Sequence, residues 1–226
     1  MSSHVFNQVF SPLMRNLSQQ LRSLWLHENE NMTFKIEKLD WQYLIPILTI
    51  VFIFIWTELF RTLDKIDLAY FSGRLLLEPY RGLTSHLLHF DLSHLLSNVF
   101  GIVIARYFLK ELKLTSAYLF LVLLSLLIPL HSFLQWLVDI YLFKNQMSLL
   151  IGFSGILYGI DSFILLSSIY GKRKFLNLHI DLTRNSKVSN AMFVLTCLGL
   201  CFSLLPKISL SAHLTGIIFG CLLFLF

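Results

Sequence analysis

Apolar residues gather into six long runs along the chain, at 42–60, 91–109, 117–140, 148–170, 190–206 and 209–226, with polar stretches between them. A helix needs about 20 residues to cross a bilayer. Only helices suit such runs, because backbone inside lipid must satisfy its own hydrogen bonds. The pattern predicts an all-α membrane protein built as a six-transmembrane-helix bundle. The last run is short and is expected to end at the far interface.

Residues 1–41 are mixed and polar. Within them Val5, Phe6, Val9, Phe10, Leu13, Met14, Leu17, Leu21, Leu24 and Trp25 recur at near-helical spacing, with no acidic residue before Glu28. This predicts an amphipathic segment lying on the membrane surface. An organellar transit peptide has a similar character; a cleaved secretory signal does not fit, for want of an apolar core after a basic start. Two regions follow: an N-terminal interfacial tail, 1–41, and a bundle, 42–226. The long loop 61–90 holds its own apolar stretch (Tyr70, Phe71, Leu75, Leu76, Leu77), too short to span and expected at the interface.

Composition narrows the class. The chain is 56% hydrophobic and 14% charged, against about 25% charged for a soluble domain. A soluble fold is excluded on that ground. The net charge of +5 does not point to nucleic acid, because the basic residues sit between the apolar runs, where they meet lipid headgroups or set orientation. Twelve Lys/Arg fall in the tail and in the second and fourth loops, and six on the other side. The positive-inside rule therefore puts both termini in the cytoplasm. Cys197, Cys201 and Cys221 lie in the late runs and are expected to be buried, reduced and inert.

Candidate chemistry lies in Gly152-Phe153-Ser154-Gly155. A serine in an apolar helix is usually structural, bonding back to its own helix, so depth decides. Counted along the runs at about 1.5 Å per residue, Ser154 lies about 9 Å inside the outer surface, His213 about 6 Å and Asn98 about 10 Å. Three polar residues on three runs share one level, and an ionisable group in a span is by default a functional candidate. Gly155 and Gly159 form one G-x-x-x-G pair, and Gly216 and Gly220 a second, a spacing that lets helix backbones approach closely.

These segments, in this order, resemble the rhomboid intramembrane serine proteases. The matching stretches are Tyr80-Arg81-Gly82-Leu83-Thr84-Ser85, His89, His94-Leu95-Leu96-Ser97-Asn98, Gly152-Phe153-Ser154-Gly155-Ile156-Leu157-Tyr158, and Ala212-His213-Leu214-Thr215-Gly216 followed by Gly220. The resemblance covers about residues 42–226 and implies a rhomboid-like bundle cleaving transmembrane protein substrates near their outer ends. It implies Ser154 as nucleophile and His213 as base. His94 and Asn98 would stabilise the oxyanion with the Ser154 amide, and Tyr158 would pack on the histidine. Gly152, Gly155 and Gly216 are supporting positions. No cofactor or metal is implied, and the partners are transmembrane substrates and the bilayer. A six-helix core without an added helix suggests a bacterial cytoplasmic membrane. The chain departs from the family pattern at Tyr80, where tryptophan is usual, and at Ala105-Arg106, where a glycine is.

Other readings stay open. A non-catalytic relative would bind transmembrane clients; a transporter would need broken-helix pairs that are absent here. His86, His89 and His94 lack the H-E-x-x-H spacing of a zinc protease; His86 and His89 are read as headgroup-level or loop-ordering residues. His131 and Gln135, after Pro129, are expected to pair with each other at a proline kink. Asp161, on the Ser154 face and about 10 Å deeper, is expected to be neutral or hydrogen-bonded into the bundle. The alternative is that it tunes the site or a water path.

Overall fold

The structure is a computed structural model and describes residues 37–60, 64–205 and 208–226. Most of the surface segment expected in 1–41 lies outside the described residues. A 3-10 turn at Lys38–Asp40 leads into α1 (Trp41–Phe60). Then follow α2 (Lys65–Leu68), α3 (Arg81–Leu87), α4 (Leu92–Glu111), α5 (Leu119–Leu137, continued by a π-helical turn to Leu142), α6 (Ser154–Tyr170), α7 (Ser186–Phe202) and α8 (Leu210–Phe224).

Lys38–Phe60, Leu92–Glu111 and Leu119–Leu142 are long and apolar enough to cross a membrane, while α6, α7 and α8 are apolar but shorter. Large apolar side chains cover the outside, among them Leu48, Phe52 and Leu59 on α1. A soluble protein does not expose apolar surface on this scale; the chain is an integral membrane protein. Inside, Ile102, Leu123, Leu127, Ile160 and Phe163 are fully buried where α4, α5 and α6 meet. The buried Gln42 ties α1 to α5: its amide nitrogen donates to Ser116 O at 3.1 Å and its oxygen accepts from Phe120 N at 2.8 Å, capping the start of α5.

Helix α6 runs through the middle, in contact with α4, α5, α7 and α8. Its closest partner is α8. A Cβ on Gly216 would overlap Gly155 O, and one on Gly220 would overlap Gly159 O and Ser162 Oγ. The two glycine pairs thus face each other, and backbone lies on backbone. Two glycines in register are what permits it.

The all-α expectation needs amendment, because four short strands are present among the described residues. Strand β1 (Tyr70–Phe71) pairs antiparallel with β2 (Leu149–Leu150). Strands β3 (Lys172–Phe175) and β4 (Leu178–Leu182) form a hairpin, held under the α4–α5 turn by Thr115 N to Ile180 O and Thr183 N to Leu112 O. The β1–β2 pair also corrects the run 148–170. Its first residues are extended and turning, and the helix starts only at Ser154. The reason is tertiary: Ser148 and Leu149 find their hydrogen-bond partners in the first loop, at Ser72 and Phe71.

The cysteines also differ from expectation, Cys197 and Cys201 being exposed and Cys221 half-buried. Helix α7 buries only Val188 and Met192, so most of its surface, these thiols included, faces outward. In the first loop Leu76 and Leu77 stand out from the body while Leu75 turns in.

Arg81 fixes that loop. It is buried, its Nε pairs with Glu78, and one terminal nitrogen donates to Ile66 O at 2.8 Å and to Ala69 O at 3.0 Å. Arg81→Met is expected to leave two carbonyls unmatched and to cost about 2–3 kcal/mol. Thermal unfolding in detergent should register the loss, with proteolysis within 64–80 becoming faster.

Candidate active site

Ser154 is the first residue of α6. The chain arrives through Gly152, whose φ of +125° is rarely open to a residue with a side chain. A Cβ there would also lie 2.5 Å from His94 Cε1 and 2.6 Å from Nε2. Glycine is therefore required twice, and the His94 ring lies against the backbone two residues before Ser154. Gly152 N donates to Ser85 O at 2.9 Å, which ties the turn to α3. Because Ser154 opens the helix, its amide has no acceptor within α6, and the positive end of the helix dipole points at the same place.

His213 sits in the first turn of α8, beyond the Ser209 cap. It is buried. Its Nε2 lies 2.9 Å from Ser154 Oγ and its Nδ1 2.6 Å from Ser203 Oγ. Tyr158 stacks on the imidazole with ring centroids 4.2 Å apart and planes 24° apart. Ser203, at the C-terminal end of α7, also contacts Gly199 O at 2.7 Å. A carbonyl can only accept, so the single hydroxyl hydrogen of Ser203 points there. Its lone pair then receives Nδ1–H from His213. The neutral imidazole is thereby held with Nε2 unprotonated and facing Ser154.

Two further groups meet this centre. His94 and Asn98, one turn apart on α4, line the same cavity of about 1200 Å³ as Ser154 and His213. Asn98 is buried, and its Nδ2 has no hydrogen-bond partner among the described residues. A buried donor left without an acceptor costs about 1–3 kcal/mol. In the cavity wall it is placed to meet the oxygen of a water or a ligand.

His131 and Gln135 do not pair with each other as expected. His131 Nε2 donates to Ala212 O at 2.8 Å. Gln135 Nε2 donates to Asp139 Oδ1 at 3.0 Å and Ser211 Oγ at 3.1 Å, and its oxygen lies 3.0 Å from Thr215 Oγ1. Both brace the backbone around His213, because α8 lies within reach across the bundle. The Tyr70 hydroxyl completes the chain by donating to Asp139 Oδ2 at 2.9 Å. Burial, with the Asp139 charge beside it, raises the Tyr70 hydroxyl far above the usual phenol range, so it stays a donor.

His86 and His89 are both buried within the protein. His86 Nε2 lies 2.9 Å from Ser132 Oγ, beneath the Gly152 turn. Of the readings given for Asp161, the hydrogen bond into the bundle is not made: it lines the cavity and forms no hydrogen bond or ion pair with the described residues. Among the described residues no group of three or more His, Cys, Asp or Glu could hold a metal ion.

The structure thus brings Ser154, His213, Tyr158, His94 and Asn98 to one cavity, with Gly152, Gly155 and Gly216 supplying the close approaches. Sequence reasoning missed Ser203. A signal existed: it is a polar residue near the C-terminal end of the fifth run, ten residues before His213 near the start of the sixth. The family model of the Rhomboid domain matches residues 77–226. No curated protein matches the chain.

Proposed function

The chain belongs to the rhomboid family, and from that premise we propose that it is an intramembrane serine endopeptidase cutting transmembrane segments near their outer ends. The observation that carries this reading is the 2.9 Å contact between Ser154 Oγ and an imidazole nitrogen left free to accept its proton. Serine is a weak nucleophile until a neighbouring base takes its hydrogen. His213 does so as Oγ attacks the substrate carbonyl. The resulting oxyanion meets the unmatched Asn98 amide, the His94 ring and the Ser154 N–H. Each such donor is worth about 3 kcal/mol in a dry site.

His213 then passes its proton to the departing amine, leaving an ester on Ser154. A water gives its proton to the same nitrogen and attacks the ester; His213 returns that proton to Ser154 Oγ as the C–O bond breaks, and the second fragment leaves as the acid. Throughout, Ser203 keeps accepting from Nδ1–H, and the Tyr158 face stabilises the positive ring. No carboxylate is needed. In this reading the chain crosses six times, so both termini share one side; the Lys/Arg bias makes that side the cytoplasm of a bacterial cell and leaves the Ser154–His213 pair toward the outer surface.

The test is cleavage of a transmembrane substrate in liposomes. A cut near its outer end, lost in Ser154→Ala, supports the reading. No cut by folded wild-type protein across a panel of helix-destabilised substrates favours a client-binding relative instead. Ser203→Ala is expected to lower kcat about tenfold, the worth of one hydrogen bond to the ring, with KM and melting temperature nearly unchanged. Ser203→Thr should restore most of the rate, which a merely structural role would not require.

A further inference from the structure

We propose that Asp139 is a positioning residue for the reaction: its buried carboxyl ties the segment that delivers Ser154 to the segment that delivers His213, and so sets the distance between them. The inference rests on the protease reading above and goes beyond it by naming what holds the two reacting groups in register.

Asp139 lies in the π-helical turn that ends α5, one turn after Gln135, and both side chains are buried. Its two oxygens serve two different parts of the chain. Oδ2 accepts from the Tyr70 hydroxyl at 2.9 Å. Tyr70 stands in β1 opposite Leu150 of β2, four residues before Ser154. The Asp139 carbonyl also accepts from Asn145 N at 2.8 Å, in the loop that enters β2. On the other side, Oδ1 accepts from Gln135 Nε2 at 3.0 Å. The same nitrogen donates to Ser211 Oγ at 3.1 Å, and the Gln135 oxygen accepts from Thr215 Oγ1 at 3.0 Å. Ser211 and Thr215 flank His213 in α8, two residues to either side.

The chemistry of this link calls for a carboxylate. It accepts at both oxygens and so matches the Tyr70 hydroxyl and the Gln135 amide together, whereas an amide in its place accepts at one position and presents N–H at the other. Tyr70, Gln135, Asp139 and Thr215 are all buried, and a mismatch in a buried polar network is costly. The network therefore favours one arrangement, with its two ends fixed beside the two reacting groups. Asp139 acts through Tyr70 and Gln135 rather than on the substrate. The 2.9 Å contact from Ser154 Oγ to His213 Nε2 needs such support, because proton transfer requires hydrogen-bond distance. The donors and acceptors can be matched in one other way. Asp139→Asn combined with Gln135→Glu exchanges the two head groups: the new amide accepts from Tyr70 and donates to the new carboxylate, which accepts from Ser211 and Thr215.

The experiment uses the full chain in liposomes and measures kcat and KM on one transmembrane substrate, with the rate of fluorophosphonate labelling and the melting temperature of each variant in parallel. Asp139→Asn and Gln135→Glu alone are each expected to lower kcat and the labelling rate about tenfold, with KM within about twofold of wild type, as loss of alignment requires. The double variant should recover to within about threefold of wild type, where independent effects would multiply to about a hundredfold loss. A role confined to folding would lower the melting temperature and leave the kcat and labelling rate of folded enzyme where they are. An Asp139→Asn enzyme with unchanged kcat overturns the proposal, as does a loss confined to KM or a double variant that shows the multiplied loss. Should a single variant fail to fold, Tyr70→Phe, which removes one hydroxyl and keeps the carboxyl, carries the test: kcat lowered about threefold supports the proposal and an unchanged kcat overturns it. If wild type neither reacts with the fluorophosphonate nor cuts any substrate, the protease reading itself falls, and this inference with it.

Discussion

Ser154→Ala, His213→Ala and the double variant are expected to reach the same residual rate, each at least about 10⁴-fold below wild type in kcat. The two residues act as one unit in the proposed chemistry. Without His213 the serine hydroxyl keeps its proton, and without Ser154 the imidazole has no nucleophile to activate. Removing the second partner then costs nothing more. Two residues contributing separately to folding or binding would instead show multiplied losses. Ser154 meets His213 through one 2.9 Å contact between the starts of α6 and α8, so Ser154→Ala should keep a melting temperature within a few degrees of wild type. His213→Ala also removes the ring that Tyr158 stacks on and Ser203 bonds, so it and the double variant should melt lower by the same amount as each other. Kinetics on one substrate, with unfolding measured in parallel, checks both parts.

Gly216→Ala is expected to be nearly as damaging by another route. A single methyl there would occupy the place of Gly155 O. That atom is backbone and cannot swing aside, so α8 must move away from α6. Overpacking of this kind costs about 1–3 kcal/mol in stability. The loss in rate should be larger in proportion. Gly155 follows Ser154 directly and Gly216 lies one turn after His213, so a shift here lengthens the one contact the chemistry needs. A misplacement of about 1 Å can cost about 10²-fold. Gly220→Ala meets Gly159 O, a turn further from the reacting atoms. It should lower the melting temperature as much while sparing more of the activity. The two variants together separate loss of packing from loss of alignment.

Much of this was readable along the chain because it is local. Six apolar runs follow from composition, and the facing glycine pairs from their spacing in two of those runs. The shared level of Ser154, His213 and Asn98 came from counting residues at helical rise. The same count erred in one respect: it carried helix up to Ser148, whereas the chain is extended and turning until Ser154. An apolar stretch reads alike as strand or helix, and the partner that decides is Tyr70–Phe71, nearly eighty residues earlier. His131 and Gln135 were assigned to each other for the same reason. Their sequence neighbours are visible in one dimension, and Ala212, Ser211 and Thr215 are not. Ser203 looked like one more serine in an apolar run until the His213 ring appeared 2.6 Å away. The cysteines failed differently: burial was inferred from apolar neighbours, but in a bundle bathed by lipid those neighbours line the outside too.

The most direct test of the Ser154–His213 pair is covalent trapping. Folded protein in detergent or liposomes is treated with a fluorophosphonate and digested, and the modified peptide is sequenced by mass spectrometry. The account predicts one phosphonyl group, on Ser154, absent when His213 is alanine. Label on a different serine, or equal labelling of Ser154 with and without the imidazole, would contradict it.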